Sequence, residues 1–129
     1  MPDAQDPLRL LMVDDEKEFV LALAERLELR GFSPTISFDG ESALEHVQKG
    51  HFDLVLLDVM LPGMNGLTVL RRIHETDPKL PVVLLTGNAS SREGAEGMQL
   101  GARACLDKPV DLQKLLSLFT EINKEKRHA

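Results

Sequence analysis

The strongest constraint on this chain is a series of short, wholly apolar runs, each ending in a polar residue. Leu54-Val55-Leu56-Leu57 runs into Asp58 and then a Pro/Gly loop, Val59-Met60-Leu61-Pro62-Gly63-Met64-Asn65-Gly66. Leu10-Leu11-Met12-Val13 runs into Asp14-Asp15-Glu16, and Pro81-Val82-Val83-Leu84-Leu85 into Thr86-Gly87-Asn88. Apolar runs of this length with no alternation fit strands buried on both faces, so helices must cover both sides of their sheet.

The intervening segments supply those helices. Phe19, Val20, Leu23, Ala24 and Leu27 recur at helical spacing, and Gly31 is placed to stop them. A short helix over 40–49 carries Ala43, Leu44 and Val47 and ends at Gly50, while Leu67, Val69, Leu70 and Ile73 form a third, closed by Asp77-Pro78. A fourth over 90–100 contains Gly94 and Gly97. Each Gly costs about 0.5–1 kcal/mol in a helix interior, so this helix should be the softest. Asp111 can cap a last helix through Leu112, Leu115, Leu116, Phe119 and Ile122, whose tail Lys124-Glu125-Lys126-Arg127 suits a helix carboxyl end. Strands are predicted over 8–13, 33–38, 53–57, 81–85 and 103–106; the second is the weakest, with Ile36 and Phe38 as its clearest apolar members.

Strands and helices alternating at this spacing predict an α/β fold: a flavodoxin-like, doubly wound, five-stranded parallel sheet of order 2-1-3-4-5, with helices on both faces. The 129 residues make one domain over 8–123, a disordered tail over 1–7, and a helix end or linker start over 124–129. No apolar stretch approaches the ~20 residues of a membrane span, and the acidic start is no signal peptide, so the cytoplasm is expected. A single cysteine excludes an internal disulfide. Net charge is −6, and aromatics are five Phe with no Trp or Tyr, which argues against nucleic acid as a partner.

In that strand order the first and third strands are neighbours. Asp14, Asp15 and Asp58 should then converge at the carboxyl edge of the sheet, with Thr86 and Lys108 arriving from the strands beyond. At roughly 5 Å and an effective dielectric near 20, each carboxylate pair repels by about 3 kcal/mol. A compensating cation is needed, and carboxylates with carbonyls and water suit Mg²⁺. With the cation and Lys108 balancing the acids, a phosphoryl group can approach, and one carboxylate can act as nucleophile to give an acyl phosphate.

Asp14-Asp15, Asp58 with Pro62 and Gly66 downstream, Thr86-Gly87 and Lys108-Pro109, each ending an apolar strand, resemble the signature of the CheY-like receiver domain of two-component response regulators. The likeness runs from about Leu8 to Ile122. It implies that Asp58 accepts a phosphoryl group from a phosphohistidine, on a sensor histidine kinase or a histidine phosphotransfer protein. It further implies Mg²⁺ (or Mn²⁺) held by Asp15, Asp58 and the Met60 carbonyl, with Asp14 acting through water. Lys108 and Thr86 would bind the phosphoryl group, Thr86 as a switch, and the Lys108–Pro109 bond would be cis. Met60 and Asn88 would tune phosphoryl lifetime, the apolar Met slowing self-hydrolysis.

One position departs from the pattern. Many receivers carry Tyr or Phe three residues before the lysine, and here Cys105 stands there. The aromatic half of the usual relay is missing, so the expected output passes through the loop after Thr86 and the Gly94/Gly97 helix. Cys105 itself reads as an inert buried thiol. Taken singly, Asp14-Asp15-Glu16 is an acidic helix start, Thr86 a turn residue and Lys108-Pro109 a loop dipeptide; only their combination argues for a site. His46, His51, His74 and His128 read as surface residues; Met12, Met60, Met64 and Met98 as core or loop filler; Lys124, Lys126 and Arg127 as a solvated helix end.

Three rivals differ in class. A haloacid-dehalogenase-like phosphatase wants its nucleophilic Asp at the end of the first strand and a second Asp two residues on, but the strand ends Asp14-Asp15-Glu16. A flavin module lacks a hydroxyl-rich phosphate loop. A receiver-like scaffold that only binds partners stays as the alternative, opposed by the intact acidic pair, acceptor, Thr and Lys. The chain is expected to be either a stand-alone regulator or a piece of a longer one. The kinase, the output partner and any phosphorylation-dependent homodimer are left open.

Overall fold

The computed structural model describes residues 8–127, so the expectations for 1–7 and for His128 lie outside the described residues. Five strands alternate with five helices: β1 (Arg9–Val13), α1 (Lys17–Glu28), β2 (Ser33–Ser37), α2 (Gly40–Lys49), β3 (Leu54–Asp58), α3 (Gly66–Thr76), β4 (Val82–Thr86), α4 (Arg92–Gln99), β5 (Ala104–Asp107) and α5 (Leu112–Arg127). The strands form one sheet of order β2-β1-β3-β4-β5, every pairing parallel, as the alternation of apolar runs and helices requires.

Side chains alternate across a strand, so each apolar run feeds two cores. Leu11, Val13, Val55, Leu57, Val82 and Leu84 face Ala43 and Val47 of α2 and Val69, Leu70 and Ile73 of α3. Leu10, Met12, Leu54, Leu56, Val83 and Leu85 face Val20, Leu23 and Leu27 of α1 and Leu115, Phe119 and Ile122 of α5. Continuing the count past the last apolar residue decides the site. Asp14, Asp58 and Lys108 fall on the α1/α5 side, whereas Thr86 falls in line with Leu84 on the opposite side.

Several expectations need correction. The second strand stops at Ser37, which is buried and shares a 3.0 Å hydroxyl hydrogen bond with Ser42. Phe38 lies outside the strand and is exposed, with the Lys17 ammonium 5.0 Å over its ring. Met98 lies on α4 and is exposed, neither core nor loop, whereas Met60 is exposed in the loop after β3. His46 and His74 are half-buried: His46 sits edge-on to Phe52, and His74 Nδ1 lies 3.3 Å from the Leu100 carbonyl. The last helix runs through its basic tail to Arg127, and the exposed Lys126 there adds one tie the sequence did not show, donating to Asp53 at 3.0 Å.

The glycines of α4 also take a different meaning. A Cβ on Gly94 would stand 2.1 Å from the Ala89 carbonyl, and one on Gly97 would stand 2.2 Å from Leu84 Cδ1. They are close-approach positions that let α4 lie against its own loop and against β4. No described helix is long and apolar enough to cross a membrane.

Candidate functional site

Three adjacent strands, β1, β3 and β4, end in the same local device. Asp14 Oδ1 accepts the N–H of Glu16 at 2.9 Å, Asp58 Oδ1 accepts that of Met60 at 3.0 Å, and Thr86 Oγ1 accepts that of Asn88 at 3.3 Å. In each case a short polar side chain bonds the backbone two residues on, the turn chemistry that Asp and Thr favour where a strand ends. The turns anchor one oxygen of each acid and aim the other inward. Asp14, Asp58 and Thr86 are only 2%, 4% and 4% exposed, although all three are polar.

The loop after Asp58 is held close by a glycine. Gly66 opens α3 and donates its N–H to the Val59 carbonyl at 2.9 Å. A Cβ there would stand 2.4 Å from the Asp58 carbonyl oxygen and 2.7 Å from Val59 Cα. Only a residue without a side chain allows the helix to start against the strand end that carries Asp58. Asn65 caps α3 by accepting the N–H of Leu67 at 2.7 Å.

Lys108 stands at the centre. β5 brings it to the edge, its N–H donates to the Thr86 carbonyl at 2.8 Å, and its bond to Pro109 is cis. The ammonium lies 2.9 Å from Asp14 Oδ2 and 3.0 Å from Asp58 Oδ2, donates a short hydrogen bond to Glu16 and rests 4.7 Å over the Phe19 ring. Burial pulls this amine toward neutrality, but the hydrogen bonds to Glu16, Asp14 and Asp58 outweigh it and hold the group well above its ordinary range. The pKa of Asp14 is raised as well, which for an acid disfavours the charged form: burial raises it, Lys108 and the Glu16 N–H oppose this, and the Asp58 charge adds to the rise.

Asp14, Glu16 and Asp58 each present an oxygen within 4.8 Å of the others, a spacing that can hold a metal ion. Asp14 Oδ2 is buried and lies against the Lys108 ammonium. Hard carboxylate oxygens gathered this closely fit a divalent cation such as Mg²⁺. The structure thus gathers Asp14, Asp58 and Lys108, as the strand order implied. Asp15 is exposed and outside this acidic group, while Glu16 is inside it.

Glu16 and Phe19 are therefore two site residues that the sequence reading passed over. Glu16 looked like part of an acidic helix start; the one signal was an acid at a helix N-cap, where Ser, Thr, Asp or Asn usually serves. Phe19 looked like core and instead carries a cation on its face. Met60 lends its N–H to Asp58 but exposes its side chain, and Asn88 accepts from the N–H and hydroxyl of Ser90 at 3.1 and 2.8 Å. Cys105 is half-buried in register with Leu84, and burial together with the Asp107 charge pushes its thiol pKa up, so it stays protonated at neutral pH.

The sequence matches the response regulator receiver domain family over residues 10–120. It is 42% identical over 108 residues to the uncharacterized transcriptional regulatory protein YkoG of Bacillus subtilis, covering 84% of this chain and 47% of that protein. Among solved structures it superposes on a CheY-like receiver domain protein from Methanospirillum hungatei with a TM-score of 0.89 and 27% identity, over 95% of this chain and 99% of that one. A Burkholderia pseudomallei response regulator with a phosphorylated aspartic acid and a calcium ion aligns with a TM-score of 0.81 at 25% identity, over 94% of this chain and 72% of that one. The chain spans about half the length of the curated relatives it matches. It belongs to the response regulator receiver family of two-component signalling.

Proposed function

We propose that this domain accepts a phosphoryl group on Asp58 from a phosphohistidine of a sensor histidine kinase or histidine phosphotransfer protein. The observation that carries this reading is Asp58 itself: a nearly buried carboxylate on a strand end, one oxygen tied to the Met60 N–H, the other on the Lys108 ammonium. In the transfer, Asp58 Oδ2 forms a bond to phosphorus as the phosphorus–nitrogen bond of the donor breaks, and the imidazole leaves. Lys108 would then meet a phosphoryl oxygen, and the Thr86 hydroxyl would give up its turn bond to do the same. The domain is read as a signalling receiver that catalyses its own phosphorylation and slow dephosphorylation, not as a conventional enzyme.

Mg²⁺ (or Mn²⁺), when bound, supplies charge neutralisation for the incoming phosphoryl oxygens. Asp58, Asp15 and the Met60 carbonyl would hold it, with Asp14 acting through water. The phosphorylated aspartic acid and calcium ion of the Burkholderia relative support an aspartyl phosphate and a divalent cation in a fold of this kind. The relatives' description as transcriptional regulatory proteins supports an output in transcriptional control.

Acetyl phosphate with Mg²⁺ should add one phosphoryl group to the wild type by intact mass, and none to Asp58→Asn or in excess EDTA. Labelling that survives Asp58→Asn would refute the assignment, and so would no labelling of the wild type by acetyl phosphate or a phosphorylated kinase. With the adduct in hand, Met60→Asn should shorten its lifetime about tenfold, because a polar side chain can order the in-line water that the exposed Met displaces (about 1.4 kcal/mol in the barrier). An unchanged decay rate removes Met60 from that role.

A further inference from the structure

Among the described residues, three phenylalanine rings carry a cation on one face. Arg9 lies 5.5 Å over Phe52 and Lys17 lies 5.0 Å over Phe38, and both cations are exposed. Lys108 lies closer, 4.7 Å over Phe19, and its side chain is only 16% exposed. The pull of a ring's negative face on a cation is strongest where water has been withdrawn. Of the three contacts, the one at the carboxyl edge has that setting.

The local sequence explains how the ring comes to be there. α1 turns Val20, Leu23 and Leu27 into the core, and Phe19, one residue before Val20, falls at the rim of that apolar stripe. It is half-buried against the core, so the ring is anchored while reaching the strand ends. With Leu56 and Leu85 it also lines a gap beside Asp14 that has no room for a water molecule. That side of the site is dry.

The ring differs in kind from the other neighbours of the ammonium. Asp14, Glu16 and Asp58 are acids, and their hold on Lys108 depends on what else their oxygens bind. Phe19 offers no oxygen to a cation or to a phosphoryl group. Its attraction acts on the charge itself, so it holds whichever acceptor the three N–H groups of the lysine face.

We propose that Phe19 is a positioning residue for the phosphorylation of Asp58: the face of its ring keeps the Lys108 ammonium in place at the strand ends, through its electrons and not through its bulk. The role rests on the receiver reading for the reaction. Phe19 acts through Lys108 and touches none of the reacting atoms.

The test places phenylalanine analogues with one, two or three ring fluorines at position 19 of the full chain. Fluorine drains the negative face stepwise while nearly keeping the shape of the ring. With acetyl phosphate and saturating Mg²⁺, labelling of Asp58 followed by intact mass should slow with each fluorine, to about threefold to tenfold below wild type with three. Phe19→Leu, apolar but without a π face, should slow as far. A small donor keeps the docking of a protein partner out of the rate. Equal rates across the fluorinated series overturn the proposal, since the ring would then only fill space, and so does a wild-type rate in Phe19→Leu. Should Phe19→Leu not fold, the fluorinated series decides by itself.

The contact is also read by NMR without any labelling. Protons above a ring face are shifted upfield, so the Lys108 εCH₂ resonances should lie upfield of those of the exposed Lys79 and return toward them in Phe19→Leu. Resonances that do not move on that substitution overturn the proposal. The two levels stay separable: labelling indifferent to fluorine sinks only the role of Phe19, whereas no labelling of the wild type sinks the receiver reading and this role with it.

Discussion

The two edges of the sheet both carry ion pairs, and they use them oppositely. At the amino edge, Arg103 grips Glu125 through two hydrogen bonds of 3.1 and 2.7 Å, and Lys126 reaches Asp53 at 3.0 Å. These pairs are open to water and fasten the end of α5 to β5 and to the start of β3. At the carboxyl edge, one lysine serves three carboxylates, two of them nearly buried. The pKa directions record the contrast: the hydrogen bond from Arg103 holds Glu125 below its ordinary value, whereas burial lifts Asp14 above its own. An exposed pair stabilises modestly at low desolvation cost, while a buried surplus of negative charge is a strain that function keeps.

The largest expected effect comes from closing the gap that builds the carboxyl edge. Gly66→Ala forces a Cβ against the Asp58 carbonyl and should destabilise the protein by about 1–3 kcal/mol in chemical unfolding. It should also reduce phosphorylation of Asp58, since backbone at both ends of the loop must shift. Wild-type stability and labelling in Gly66→Ala would show that the close approach is relaxed without cost.

Next in size is relief of the buried charge. Asp14→Asn should raise the stability of the metal-free protein at pH 7 by about 1 kcal/mol. The sign follows from the raised pKa. A folded state that binds the proton more tightly than the unfolded one is favoured below the unfolded value of 3.8 and loses that advantage as pH rises through the folded value. The benefit of the substitution should accordingly shrink as the solution is acidified and wild-type Asp14 takes up its proton. A variant less stable than wild type at pH 7 would mean that the tie to Lys108 outweighs the burial.

At the amino edge the changes should be small. Lys126→Ala should cost about 0.2–1 kcal/mol, less at high salt, without altering phosphorylation. The Glu125 pairing runs opposite to Asp14 in pH: its contribution is present above the ordinary value of 4.5 and fades as pH falls through the lowered folded value. A large or salt-independent loss in Lys126→Ala would dissolve the contrast between the two edges.

Hydrogen exchange offers a finer comparison within the carboxyl edge. If output runs through the β4–α4 loop and α4, a phosphoryl mimic should change exchange across 87–100 more than across α2. The close contacts at Gly94 and Gly97 sharpen this expectation, because a helix seated on Leu84 and on its own loop should respond when Thr86 moves. No change over those residues would send the output elsewhere.

Much of this was legible in the residues alone, for a physical reason. Fully apolar runs can be satisfied only by burial on both faces, so Leu54–Asp58 and Val82–Thr86 were bound to lie inside a parallel sheet. Period-two alternation then carried Asp14, Asp58 and Lys108 to one edge, and the strand order made two of them neighbours. Side-chain direction beyond the strand ends was not legible, because no periodicity governs a loop. Only the packed structure decided that Glu16 pairs with Lys108 while Asp15 lies outside that group, that Phe19 lies under an ammonium, and that Phe38 leaves the strand. The same holds for Gly94 and Gly97, whose local cost is visible in sequence but whose contacts with Ala89 and Leu84 are not. Local chemistry determined which groups reach the edge; tertiary packing determined which of them touch, because touching depends on where separate elements come to rest against one another.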